Sequence, residues 1–499
     1  MTIKTSIVAL ALGATLTVAT PMLAVAQEDI LRVGQSVDLT SFDPTQLRIG
    51  SYTSTFLLYN SLGRLMPDGS FQLELAESLD WSEDGKTLTI QLRDGVTFHD
   101  GRPMTAADVV FSLEYAATPE VGANVLPLAR LIASVEAPDD RQVVLTVNGS
   151  QAAILDLLDL VFIIDSANPD AIATSGNGTG PYRLENHEPG RMTRFVRNEN
   201  YWGEAPDADG VDIRIVPDAQ TAVAQLQSGA LDFLPVASRE TIDQLANVNG
   251  VVTGIAAPEG RVLDLLMNVK DGPTANPHLR QAINLAIDRI RIASDVIGEG
   301  GVLKCLPWAE REIDRVAGYE DACRYDLEAA RALVEEHGLA GTEVEFMTFA
   351  PAVPELGGMA QIVQYSLGEI GIPTRIVDLS EAAATQRYRD SDFELESHTF
   401  ARGGRSAEAM LLTIVPFRPA NNFSGIASEQ YATDVGIVTG NAAPDEVADA
   451  WTRINDFMLS EAWILPVVSL PIRWASSERV ENVSFNLDGM PILATATLK

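Results

Sequence analysis

Five histidines (His99, His187, His278, His337 and His398), two cysteines and 69 carboxylates are the groups of this 499-residue chain that could carry catalysis or hold a metal. Their spacing argues against both. The histidines are scattered without ligand spacing, and no His-Glu-x-x-His, Gly-x-Ser-x-Gly, Cys-x-x-Cys or Walker-type loop occurs. Cys305 and Cys323 lack the nearby histidine pair that would complete a tetrahedral metal set. The glycine-rich stretch Gly176-Asn177-Gly178-Thr179-Gly180-Pro181 has no Lys-Ser/Thr after it and a proline where a helix would start. A tight crossing between two domains is the better reading of it than a phosphate cradle. The expectation is a protein that is not an enzyme, with no metal centre and no cofactor.

The elements that would position any site alternate along the chain. Ile30 to Val37, Lys86 to Arg93, Arg141 to Val147, Val211 to Val216, Leu263 to Val269, Glu343 to Phe349 and Thr374 to Leu379 read as strands, from β-branched or alternating apolar residues. Thr105 with Asp108 forms a capping box before one helix. Asn276-Pro277 opens another, whose Leu279, Ile283, Ala286, Ile287 and Ile290 recur at helical spacing. Asp326 starts a helix that stops at Gly338, and Glu355 to Ile370 stops at Gly371. The class is α/β.

A chain of this length, 46% hydrophobic, can bury several cores and divides into about three domains. With 35 basic against 69 acidic residues it carries −34, which excludes nucleic acid as a partner. Lys4, the apolar run Ile7 to Val18 and the small-residue site Ala24-Val25-Ala26 predict a cleaved signal peptide over 1–26. No cysteine near that site would take a lipid anchor, so a free periplasmic protein is expected. In an oxidising compartment Cys305 and Cys323 are expected to form a disulfide.

An ordered series of short segments resembles the periplasmic dipeptide- and oligopeptide-type solute-binding proteins of ABC importers, bacterial extracellular solute-binding protein family 5. Leu31-Arg32-Val33-Gly34 with Ser41-Phe42-Asp43-Pro44 is similar to that family's first strand and turn. Leu75-Ala76-Glu77-Ser78, Leu92-Arg93-Asp94-Gly95-Val96 and Phe98-His99-Asp100-Gly101 are its most specific words, continued by Gly178-Thr179-Gly180-Pro181-Tyr182 and Ala286-Ile287-Asp288-Arg289. The resemblance covers essentially the whole chain after the leader. It implies a two-lobed periplasmic binding protein-like fold with an extra small domain in the first lobe: lobe I over 27–64, 176–268 and 470–499, the extra domain over 65–175, and lobe II over 269–469. It also implies capture of a small-molecule or short-peptide ligand by lobe closure, by a monomer, and delivery to the importer's transmembrane subunits. The turn-forming Asp-Gly pairs around His99 assign that signature to the fold and not to the ligand.

In relatives, solute contacts come from the loop after the first strand and from a loop in the second lobe. By resemblance these are Ile49, Ser51 and Tyr52 in the first, His398, Phe400, Arg402 and Arg405 in the second, and Asn422 just beyond. Peptide binders usually keep an aspartate in the second loop to pair with the peptide's ammonium, and Arg402 stands there. A guanidinium would repel an ammonium and pair with an acid. The expected cargo is therefore an acidic or N-blocked peptide, or an opine-like or sugar-acid conjugate. The competing readings are a metal-chelate or haem carrier of the same family, for which His398 is the pointer, and an exported hydrolase.

Overall fold

The computed structural model describes residues 29–46, 50–312, 317–350 and 353–499. The expected leader 1–26 and the site candidate Ile49 lie outside them. Strand β1 (Ile30–Gln35) buries Leu31 and Val33. A separate four-stranded antiparallel sheet follows, ordered β2-β3-β5-β4, from β2 (Ala76–Trp81), β3 (Thr87–Leu92), β4 (Ile132–Asp139) and β5 (Gln142–Val147). Its strict alternation, with Leu88, Ile90, Leu92, Val143, Leu145 and Val147 buried, turns one face onto a core. That core is shared with helices α2 (Ala106–Ala117) and α3 (Gln151–Leu160). Helix α1 (Tyr52–Leu58) precedes this small domain, and α4 (Ala407–Thr413) comes much later. The capping box at Thr105 and Asp108 is present.

The main sheet has ten strands. β6 (Tyr182–Glu188), β7 (Met192–Arg197), β8 (Gly210–Ile215) and β9 (Phe233–Ala237) join β1 on one side. Two long strands, β10 (Val251–Met267) and a final strand, run through the centre, and β11 (Val344–Thr348), β12 (Thr374–Asp378) and β13 (Leu395–Ala401) complete the other side. The final strand is β14 (Ile464–Ser477), and the order is β12-β11-β13-β10-β14-β9-β1-β8-β7-β6.

β10 and β14 carry both lobes. Val251 to Ile255 pair with Ser477 to Arg473 on the first-lobe side, and Arg261 to Leu266 pair with Leu470 to Ile464 on the second. Between them, Pro258, Glu259 and Gly260 stand against Pro471 alone, so the register slips. Extra residues in one strand, with prolines that donate nothing to a ladder, bend the sheet there. Beyond the bulge, Arg261 to Met267 also pair with β13 on the other side of β10. The apolar run read as strand from Leu263 is the second half of a longer element.

A second difference concerns the helix opened by Asn276, which ends at Ala286. Asp288 caps a new turn there, and the buried Arg289 guanidinium donates to the carbonyls of Pro466 and Lys304, at 3.0 and 3.2 Å. Ile290, which continued the helical spacing, is 71% exposed as a result. Cys305 and Cys323 are disulfide-bonded.

His99 shows what the family signature does. Its half-buried ring lies 3.3 and 3.1 Å from the carbonyl oxygens of Gly176 and Gly180, and its backbone N–H donates to Gly178 O at 2.9 Å. The glycine-rich stretch is thus fastened to the Asp-Gly turns. A Cβ at Gly178 or Gly180 would lie within 2.4 Å of the Leu58 or Leu57 carbonyl oxygen at the end of α1, so close approach requires glycine at both. His99→Ala is expected to lower the unfolding free energy by about 1–3 kcal/mol in urea denaturation and to leave cargo affinity unchanged. Normal stability with lost binding would overturn this assignment.

Candidate functional site

Between the lobes lies a cleft of about 470 Å³, lined by Tyr52, by the 122–127 segment of the small domain, and by Ala401, Arg402, Val415 and Arg418. Tyr52 opens α1, whose first turn is closed by bonds from the Thr55 N–H and hydroxyl to the carbonyl of buried Ser51, both at 2.9 Å. Arg402 follows the end of β13 in a left-handed conformation, φ 67°, uncommon for a residue with a Cβ. That turn ends the strand and re-aims the side chain. Arg402 is half-buried, and no hydrogen bond or ion pair joins its guanidinium to another described residue. Arg418 donates to the carbonyls of Leu412 and Thr413, each at 3.0 Å, and burial lowers its pKa.

Of the residues singled out in the sequence, the structure brings Tyr52 and Arg402 together in this cleft, with Ser51 beside them. The others turn away from it. Arg405 is 2% exposed and ion-paired with three carboxylates, Asp156 at 3.1 Å, Asp159 and Asp488. Its expected place at the ligand is corrected to an internal anchor. Burial opposes its charge, and Asp159, Asp488 and Asp156 more than restore it, raising its pKa well above the ordinary value. Burial in turn pushes Asp159 up to about 6 against the pull of Arg405.

Phe400 is 5% exposed and packs edge-to-face on Phe417 at 5.2 Å, inside the second-lobe core. Asn422 spends its amide on the carbonyls of Arg418 and Ile426, at 3.0 and 2.7 Å, and its oxygen on Ser424 and Gly425; it shapes a loop. His398 faces Asp264 across the ladder, Nδ1 to Oδ1 3.0 Å. Burial opposes its protonation, but Asp264 and then Glu396 raise its pKa to about 9. Burial also pushes Glu396 up to about 7.

The sequence reading missed Arg418, the 122–127 segment, and Arg261, whose position is taken up below. A second cavity of about 410 Å³, lined by Ile290, Leu303 and Tyr325 around the disulfide, lies apart from Tyr52 and Arg402 and shares no residue with the cleft. Among the described residues no group of three or more His, Cys, Asp or Glu side chains could hold a metal ion, and no helix is long and apolar enough to cross a membrane.

The cleft thus holds two arginines, one bonded to carbonyls and one, Arg402, without a hydrogen bond or ion pair among the described residues. The model of bacterial extracellular solute-binding proteins, family 5 (middle), matches residues 70–417. The chain belongs to this family. It is 26% identical over 466 residues to the nickel-binding periplasmic protein of Escherichia coli K12, covering 86% of this chain and 87% of that one. It is 28% identical over 357 residues to the dipeptide-binding protein of the same strain, covering 64% and 65%. Among solved structures, NikZ of Campylobacter jejuni in complex with Ni(L-His) superposes with a TM-score of 0.81 at 18% identity, over 94% of this chain and all of that one. The fold is the two-lobed α/β fold of periplasmic binding proteins, and the chain is a solute-binding component of an ABC importer. Its relatives are binding proteins of such transporters, not enzymes.

Two outcomes follow from the buried charges. Arg405→Met leaves three carboxylates without their cation and is expected to cost about 3–5 kcal/mol in urea denaturation at neutral pH; a cost within the range of a surface pair, about 1 kcal/mol or less, would show that the cluster is not an anchor. Glu396 is held above its ordinary value of 4.5, so burial favours its neutral form. The stability this gives is full below that value and is lost as pH rises through about 7. Glu396→Gln removes the titration. The stability of the variant relative to the parent should therefore rise between those pH values, by on the order of 3 kcal/mol at most; a difference independent of pH would refute the assignment.

Proposed function

We propose that this chain is the exported, periplasmic, monomeric receptor of its importer, freed from its leader after Ala26 and not lipid-anchored, and that it captures a small acidic solute without chemical conversion. The cargo class is an acidic or N-blocked peptide, or an opine-like or sugar-acid conjugate, and Arg402 receives its acidic group. One observation carries the reading: Arg402 is half-buried in the cleft that Tyr52 also lines, and its guanidinium makes no hydrogen bond or ion pair to another described residue. A desolvated guanidinium facing an ammonium would be repelled, whereas a carboxylate forms a charge-assisted pair. A volume of about 470 Å³ suits a molecule of dipeptide size and not a long peptide. The kinship with a dipeptide-binding protein supports the peptide-like class. The lobes hinge at 256–260 and 471–472, where the ladder of β10 and β14 slips, and ligand contacts on both sides favour the closed state.

Denaturing the protein as purified and identifying the released molecule by mass spectrometry tests this. The expected cargo is a small acid, and Arg402→Asp should weaken its binding by at least about thirtyfold, the cost of losing a buried charged partner. A cargo without an acidic group, or unchanged affinity in the variant, would exclude the reading. Absorbance above the protein's own bands or bound metal would point instead to a chelate or haem carrier.

A further inference from the structure

Arg261 stands where β10 resumes its ladder after the bulge, paired with Ala401 of β13 on one side and Leu470 of β14 on the other. Directly opposed residues of an antiparallel pair project to one face, with Cβ atoms about 5 Å apart. Arg261 therefore projects with Ala401, a lining residue of the cleft, while its neighbour Val262 turns with Phe400 into the second-lobe core. Its side chain is half-buried, and no hydrogen bond or ion pair joins it to another described residue. Burial lowers its pKa, and the groups that raise it in return are Tyr52 across the cleft, Glu355 and Glu381. Neither glutamate forms an ion pair with it. An unpaired charge withdrawn from water is costly and persists where something else completes it.

Two such arginines thus stand at one strand end: Arg402, re-aimed by its left-handed backbone, lines the cleft, and Arg261 lies behind that lining, on the face of Ala401 and within the electrostatic reach of Tyr52. We propose that Arg261 is a second anion-recognition point and that the cargo is a diacid, a small solute with two separated acidic groups, one received by Arg402 and the other by Arg261. This rests on the reading that an acid meets Arg402, and it adds the second charge.

The test uses two pairs of probes that differ by one charge: N-acetyl-L-glutamate with N-acetyl-L-glutamine, and glutarate with its monoamide. Affinities are measured by calorimetry on the full mature protein and on Arg261→Gln, Arg261→Lys and Arg402→Gln. The parent should prefer each diacid over its monoamide by about tenfold or more. Arg261→Gln should erase that preference with little change in affinity for the monoamides, and Arg261→Lys should keep part of it. Because the guanidinium has no partner to lose, the melting temperature of unliganded Arg261→Gln should be unchanged or raised. Equal affinity for the members of each pair, no binding of either diacid at millimolar concentration, or equal weakening of both members in Arg261→Gln would overturn the proposal. So would a lowered melting temperature in that variant, because Arg261 would then be serving Glu355 or Glu381. The Arg402 reading fails separately, if Arg402→Gln leaves affinity for the monoamides unchanged.

Discussion

One cation among three carboxylates holds the binding loop in place. Arg405 gathers Asp156 and Asp159 from α3 with Asp488 from the C-terminal segment, and Ser406 adds its backbone N–H to Asp156 at 3.2 Å. All of these groups are buried. Each ion has been taken out of water at a cost of several kcal/mol, and the cluster persists because each carboxylate finds a donor or a cation. It is still two positive charges short of balance with its acids, and burial brings Asp159 to about 6 while Asp488 stays below its ordinary value. The consequence reaches the cleft through one short link, the Arg405 N–H to Arg402 carbonyl bond at 3.1 Å. The left-handed backbone that presents Arg402 is fixed because the residue three positions on cannot move.

The same chemistry has opposite outcomes a few residues apart. Arg405 is paired within the protein, whereas Arg402 and Arg261 make no hydrogen bond or ion pair to another described residue. Against a chain of net charge −34, these unpaired cations make the cleft locally attractive to acids although the surface as a whole repels them. Selectivity then comes from desolvation and pairing inside the cleft. For the proposed acidic cargo, long-range steering would work against binding, and affinity would come from contacts made after entry.

This division marks the limit of what the residues reveal in order. Two of the four strands of the small domain's sheet were legible because Leu88, Ile90 and Leu92, like Val143, Leu145 and Val147, alternate with polar residues, and period two has one physical meaning; Ala76–Trp81 and Ile132–Asp139 bury less and were not. His99 was legible as structural from the Asp-Gly turns around it. The roles of the arginines were not, because a guanidinium near acids 249 residues away in the chain looks the same as one facing solvent. Phe400 and His398 share a strand face with Val262 and Asp264, and that pairing depends on the register of β10 against β13, which no local pattern encodes. Arg261 left a faint signal: it is the charge at the start of the apolar run Val262-Leu263, just before the segment read as strand. The bulge hid it, because Pro258 and Gly260 interrupt the pattern by which the strand could have been extended backwards.

That bulge also explains why recognition and closure are joined. A hinge formed by a register slip between two continuous strands resists translation and permits bending, since the ladders on either side stay paired while Pro258, Glu259 and Gly260 accommodate the change opposite Pro471. Arg261 is the first residue on the second-lobe side of that slip, and Tyr52 opens a helix of the first lobe. On the proposed reading, an acid held between them would touch both lobes close to the axis, where small rotations change the distance least. Arg402 and the 122–127 segment line the cleft, on the walls that the proposed closure would bring together. A solute anchored near the axis and completed at the walls gains contacts only as the lobes shut, and that difference in contacts between the open and closed states is the free energy available to drive closure.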